Sequence, residues 1–272
     1  MNPFLLGAAA AATSGVGSLG GLGGAIMLVP ALVVTGTPAT TAAPLGLISV
    51  VAGSVAATPK QLTERTVNHR IGVLTEVAAT SGALAGALLA GSISDSIIAR
   101  FLAVVAFIAA VAGGRRKGMR NKPDPTLDDS VVGEWIGTTA GAYKLNGGIV
   151  PYRLQRLWLG LSAMSLSGLI AGIAGIGGGF IKTPATSEIM KVPVKVAAST
   201  TTFTIGITSS AALIVMAVRG QIEPHNGAIV MIGALIGGQV GTRLQGRFSP
   251  PVIRRVLSVL LIVVSIILMV RG

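Results

Sequence analysis

The sequence predicts an all-α membrane protein of many spans, built as two homologous halves in an inverted repeat with about ten helical segments. Three observations predict it. Charge is scarce and confined to short clusters. Apolar stretches of span length fill most of the chain. Two glycine-rich stretches recur half a chain apart, each followed by the same pattern of proline and alanine.

Only 11% of the 272 residues are charged and 51% are hydrophobic, and the mean hydropathy is +0.78. A soluble domain carries about 25% charged residues to cover its surface, whereas a charge in hydrocarbon costs several kcal/mol. The composition suits lipid and excludes an ordinary soluble enzyme. The net charge of +12 raises the question of nucleic acid. Its distribution answers against it, because residues 1–59 hold no charged side chain and the basic residues then fall in clusters between apolar runs. That is the pattern of cytoplasmic loops. The 38 glycines fit helices that approach closely or break within a bilayer. With no cysteine, disulfides and thiol chemistry are excluded. The apolar N-terminus lacks the basic start of a signal peptide and reads as mature protein.

The apolar stretches run over roughly 4–34, 40–58, 71–93, 97–113, 158–186, 197–218, 227–242 and 252–270. A helical span needs about 20 residues, so the first and fifth exceed one span. Both are interrupted by glycine, at 15–24 and at 172–179. Gly21, Gly23, Gly24, Pro30 and Ala31 align with Gly175, Gly177, Gly178, Pro184 and Ala185 at a shift of 154 residues. One residue of drift later, Pro38, Ala42 and Ala43 align with Pro193, Ala197 and Ala198, and Gly82, Gly86, Ser94 and Arg100 with Gly237, Gly241, Ser249 and Arg255. The chain divides into a first repeat at 1–113, a polar cytoplasmic linker at 114–156 and a second repeat at 157–272.

Charge bias orients the halves. If each long stretch is one span, the repeats are parallel and Lys191, Lys195, Arg243, Arg247, Arg254 and Arg255 face outward. If each long stretch turns at its glycines, there are five segments per half, eight full-length spans plus the glycine-broken segments, and the halves are inverted. Loops 60–70, 114–157, 187–195 and 243–255, which hold most of the 21 basic residues, then share the cytoplasmic side, as basic loops do. The inverted reading is preferred, with the broken segments either spanning or re-entrant.

Residues Gly175 to Ala185, GIGGGFIKTPA, resemble the glycine motif of the sulfite exporter TauE/SafE family, also called the toluene sulfonate uptake permeases. The first-half copy from Gly21 to Ala31 is looser, with Ala25 at the third glycine, and Arg219-Gly220-Gln221-Ile222 with Gly237, Gly241 and Ser249-Pro250 also resembles the family. The resemblance covers nearly the whole chain. It implies a multi-pass carrier in the cell membrane, and a partner that is sulfite, a sulfonate or a related small sulfur-containing anion. An anion channel and a carrier of a non-sulfur anion are the alternatives.

The residues themselves suggest a site. A broken helix exposes unpaired N–H groups and a positive dipole end, and inverted-repeat transporters hold ions at such ends near the midplane. Gly23, Gly24, Gly177, Gly178 and Gly179 are therefore candidate anion contacts, against the plainer reading of close helix packing. Lys182, whose first-half equivalent is Leu28, either supplies positive charge to this site or snorkels to the loop at 187–195. Thr201 and Thr202, in the run Ser199 to Thr202, could bond the oxygens of a sulfo group; capping and bonds back to helix carbonyls are the alternative, favoured for Ser199 and Thr200. Glu76, the acid deepest in an apolar run, could carry a coupling proton or sit at the interface near Arg70. Asn68 and His69 read as loop residues. No catalytic set, metal cluster or phosphate loop appears, so neither an enzyme nor a cofactor is expected. The partners expected are the anion and the lipid bilayer, with a homo-oligomer possible.

Overall fold

The computed structural model describes residues 2–20, 23–114, 127, 131–145, 148–244 and 250–271. Gly21 and Ser249 of the repeat, Arg247, and the linker charges at 115–124 and 128–129 lie outside the described residues. The first half supplies α1 (Pro3–Gly20), α2 (Ala25–Val34), α3 (Ala39–Thr63), α4 (His69–Ala90) and α5 (Asp95–Gly114). The second supplies α6 (Leu157–Ala174), α7 (Gly179–Pro184), which runs into a π-helical turn (Ala185–Ile189), then α8 (Val194–Val218), α9 (Pro224–Leu244) and α10 (Pro250–Arg271). Helices α3, α4, α6, α8 and α9 are long and apolar enough to cross a membrane. At 1.5 Å per residue they measure about 27–38 Å.

Each long stretch does turn at its glycines. A Cβ on Gly24 would lie 2.6 Å from the Cα of Ser14, although ten residues of continuous helix span about 15 Å. In the second half the Ser167 hydroxyl donates to the Gly178 carbonyl at 2.7 Å. Both turns are therefore hairpins. The division is uneven, 18 residues before the turn and 10 after it in the first half, because α1 continues through most of the glycine cluster, to Gly20.

Contacts along the helices fix their directions. Helix α9 runs parallel to α3, with Gly227 against Ile48 at one end and the Lys60 ammonium on the Thr242 carbonyl at the other. Helix α1 is parallel to α9, since Gly233, Gly237 and Gly241 meet the carbonyls of Gly7, Ala11 and Gly15 in turn. Helix α6 is parallel to α4, since Gly82 and Gly86 meet the carbonyls of Ser165 and Leu169. Helix α8 is also parallel to α4, with Gly72 beside Thr204 and Arg219 donating to the Ala87 carbonyl at 2.8 Å. The hairpin loop at 64–68 makes α4 oppose α3. The repeat-related pairs α1/α6, α3/α8 and α4/α9 are thus each antiparallel, which is an inverted repeat. The two glycine seams are themselves equivalents, and each joins one half to the other. A glycine every fourth residue lets the backbones touch, the geometry that membrane helices use in place of a hydrophobic driving force.

The four basic loops expected on one side do share an end. Lys60 reaches α9, Thr66 bonds Ser199, Lys195 pairs with Glu64 at 3.2 Å, and the Gln155 amide donates to the Met190 carbonyl.

The linker is more structured than its polar composition suggests. It contains an antiparallel sheet of β1 (Gly133–Glu134), β2 (Ala140–Leu145) and β3 (Gly148–Arg153), in the order β1-β2-β3. Register runs from Ala140 opposite Arg153 to Leu145 opposite Gly148. Tyr143, Val150 and Tyr152 are buried against Ile71, Met164, Met190 and Val192. The sheet thereby closes over the starts of α4, α6 and α8. A three-stranded sheet gains stability from packing on helices in this way.

Candidate functional site

The two hairpin turns converge. Gly23 has φ +78° and Gly177 φ +66°, left-handed conformations that glycine adopts without steric cost. A Cβ on Gly23 would stand 3.6 Å from Val50 and 3.8 Å from Ile205, and one on Gly177 2.9 Å and 3.4 Å from the same two side chains. Val50 and Ile205 are themselves repeat equivalents, each half way along a 25-residue helix, α3 and α8. The breaks approach from opposite ends and meet on one pair of side chains at mid-depth.

Each turn opens a new helix. The Gly24 carbonyl accepts from the amides of Met27 and Leu28, and the Gly178 carbonyl from those of Ile181 and Lys182. The N–H groups before these, of Ala25 and Ile26 in α2 and of Gly179 and Phe180 in α7, precede the first intrahelical bond. Gly24, Gly178 and Gly179 are buried.

Lys182 is 2% exposed, so its side chain does not snorkel to the end of the bundle. Its ammonium donates to Glu76 Oε2 at 2.7 Å and to the Thr208 hydroxyl. Thr208 in turn donates to Glu76 Oε1, which also accepts from Thr80 at 3.0 Å. Glu76 is 6% exposed and hence lies in the bundle rather than at the interface. This cluster joins the half-helix α7 to α4 and α8. A carboxylate and an ammonium leave water together at this depth only because each satisfies the other and hydroxyls fill the remaining positions.

The first two residues of the hydroxyl run at the start of α8 join elements together. Ser199 accepts from Thr66 at 2.9 Å and Thr200 from the Asn68 amide at 3.0 Å, which ties α8 to the α3–α4 loop. Thr202 donates back to the Ala198 carbonyl at 2.9 Å, the local bond open to any helical threonine. Thr201 is buried, and its carbonyl accepts from Thr204 at 3.4 Å. The α8 hydroxyl that joins the charged cluster is Thr208, which sequence reasoning missed. Its signal was a spacing of four: Thr200, Thr204 and Thr208 on α8 lie along the face that meets Gly72 and Glu76 of α4. Asn68 and His69 are more than solvated loop residues. Asn68 caps α4 by accepting from the Ile71 amide and donates to the Tyr152 hydroxyl at 3.1 Å. His69 faces Glu134 of the sheet at 3.0 Å.

The family pattern described as "Sulfite exporter TauE/SafE" matches residues 5–268. Among curated proteins the chain is similar to the "Probable membrane transporter protein YunE" of Bacillus subtilis (strain 168), at 22% identity over 265 residues that cover 94% of this chain and 93% of that protein. No solved structure matches.

Proposed function

This chain belongs to the sulfite exporter TauE/SafE family and is a multi-pass membrane transporter, and from that premise we propose that it is a secondary carrier of a small sulfur-containing anion, working by alternating access. The observation that carries the reading is the meeting of two opposed half-helix turns on Val50 and Ile205. Inverted repeats rock about such a shared midpoint, and half-helix starts there favour an anion. The contacts assigned to the anion are the backbone of Gly23, Gly24, Gly177, Gly178 and Gly179, with Thr201 and Thr202 as nearby hydroxyls.

Lys182 supplies the full positive charge and Glu76 the coupling proton. In the resting arrangement Glu76 holds the ammonium. Protonation of Glu76 releases Lys182, and the incoming anion takes the place of the carboxylate. The buried site stays electrically balanced in both states, which is the condition for moving a charged substrate through low dielectric. The sulfur in the assignment rests on the family description.

The test is thermal stabilisation of the purified protein by sulfite, thiosulfate, small sulfonates, sulfate and carboxylates, since bound ligand raises stability by mass action. At least one sulfur oxyanion is expected to raise the melting temperature and to be taken up by proteoliposomes, with uptake lost in Lys182→Ala. Stabilisation by a carboxylate with none from any sulfur oxyanion overturns the substrate class. Uptake that persists in Lys182→Ala overturns the role of the ammonium.

A further inference from the structure

Beneath the linker sheet, at the basic end of the bundle, lies an open cavity of about 770 Å³ between the start of α4 and the β1–β2 turn. Arg70 and Arg153 line it with Thr138 and Thr139, and Val73 and Leu74 form its apolar side. Both arginines are exposed. Among the described residues neither guanidinium takes part in an ion pair. The neighbouring acid is already committed: Glu134 accepts from the His69 amide at 2.7 Å and faces the His69 ring, so it caps α4.

Trp158 sets the headgroup level at this cavity. Gly168 of α6 meets Ala79 of α4 in the parallel seam, which sets Trp158 level with His69. Trp158 is 80% exposed, and an exposed tryptophan at a helix end marks the headgroup level. Arg70 is then at headgroup depth and Val73 one turn inside the hydrocarbon. From Val73 an exposed, mainly apolar lane continues down the same face of α4 through Val77, Ser81, Leu84 and Leu88, at helical spacing, the Ser81 hydroxyl donating back to the Val77 carbonyl. A polar end with two cations and two hydroxyls thus opens onto an apolar groove in lipid.

We propose that this cavity binds the phosphate headgroup of an anionic glycerophospholipid from the surrounding leaflet, with Arg70 and Arg153 on the phosphate and an acyl chain along Val73, Val77, Leu84 and Leu88. Guanidinium forks suit phosphate oxygens, and a headgroup with no cation to offset the phosphate keeps its net negative charge for a basic surface. The lipid would fasten the linker sheet, through Arg153, to α4, through Arg70. The proposal is independent of which solute the protein carries.

The test uses the whole protein purified in a neutral detergent. Phosphatidylglycerol is expected to raise the melting temperature by about 3 °C more than phosphatidylcholine at the same concentration. The increment should vanish in Arg70→Gln/Arg153→Gln and persist in Lys195→Gln, a basic residue outside the cavity. Inorganic phosphate should not reproduce it, because the groove needs the acyl chain. Equal effects of the two lipids, an increment that survives the double substitution, or an equal effect of inorganic phosphate overturns the proposal. Native mass spectrometry of the unsubstituted protein gives a measurement that does not depend on the variant folding. Preferential retention of phosphatidylglycerol supports the site, and equal retention of both lipids sinks it.

Discussion

At the position where α2 buries Leu28, α7 buries Lys182. The repeat equivalents of its partners differ in the same way: Glu76 corresponds to Met231 and Thr208 to Gly53. Yet the backbones match closely, with a hairpin turn at glycine, a left-handed residue against Val50 and Ile205, and a glycine seam to the opposite half in each repeat. The architecture is thus held by features that both copies keep, and each copy adds one charge that the other lacks, Glu76 in the first and Lys182 in the second. A symmetric frame suits rocking between two equivalent states. In the proposed carrier, an asymmetric charge gives that motion something to couple to.

The largest expected effect comes from breaking the asymmetry one residue at a time. Lys182→Ala or Glu76→Ala leaves its partner buried and unpaired, at an expected cost of about 3–5 kcal/mol. The double variant Lys182→Leu/Glu76→Met gives each half the residue that the other carries at the equivalent position. It is expected to recover stability to within about 1 kcal/mol of the natural protein, since apolar replacement of a buried ion pair is often neutral or better, while transport stays lost. A double-mutant cycle by denaturation in detergent reads the coupling. A double variant as unstable as the singles would show that the pair does not act as a unit.

A smaller difference separates the two turns. A Cβ at Gly24 meets backbone, with Ser14 Cα at 2.6 Å and Ser14 N at 2.7 Å. A Cβ at Gly178 meets the Ser167 hydroxyl, which can rotate away and forfeit its bond to the Gly178 carbonyl. Gly24→Ala is therefore expected to cost about 2–3 kcal/mol and Gly178→Ala about 1 kcal/mol. Equal losses in thermal denaturation would mean that the first turn can relax as easily as the second.

The smallest effect concerns the sheet, which has no first-half counterpart. Burial pushes the Tyr152 hydroxyl up to about 12, against the bond from Asn68, and burial pushes Tyr143 up to about 12 as well. The folded state thus favours the protonated phenols. Their contribution is complete below the unfolded value of about 10 and is lost as pH rises through about 12. Alkaline absorbance titration of the two tyrosines should show midpoints near 12. Midpoints near 10 would mean that the sheet does not stay docked on the bundle. Tyr152→Phe should flatten part of this slope and cost about 1 kcal/mol at neutral pH through the lost Asn68 bond.

Much of the frame was legible in one dimension. Charge avoidance over 1–59, the twin glycine clusters and the clustering of Lys and Arg are properties of local sequence, so spans, turns and the shared basic end could all be read from them. The sheet at 133–153 was not legible, because its strands are two to six residues long and their buried side chains face helix ends from other parts of the chain. Glu76 and Lys182 each stood out alone, but nothing local said that they face each other across 106 residues. Thr208 was hidden among the many hydroxyls of α8, distinguished only by the face it shares.

The sequence by itself determined that this chain lives in a membrane, that its halves are copies, and where each breaks, because hydrophobicity and glycine act on the backbone locally. Only the tertiary structure decided that the two breaks meet on Val50 and Ile205, and that the one lysine buried at a half-helix is answered by a glutamate. Those are consequences of antiparallel packing between the halves, and packing depends on residues that the chain order keeps far apart.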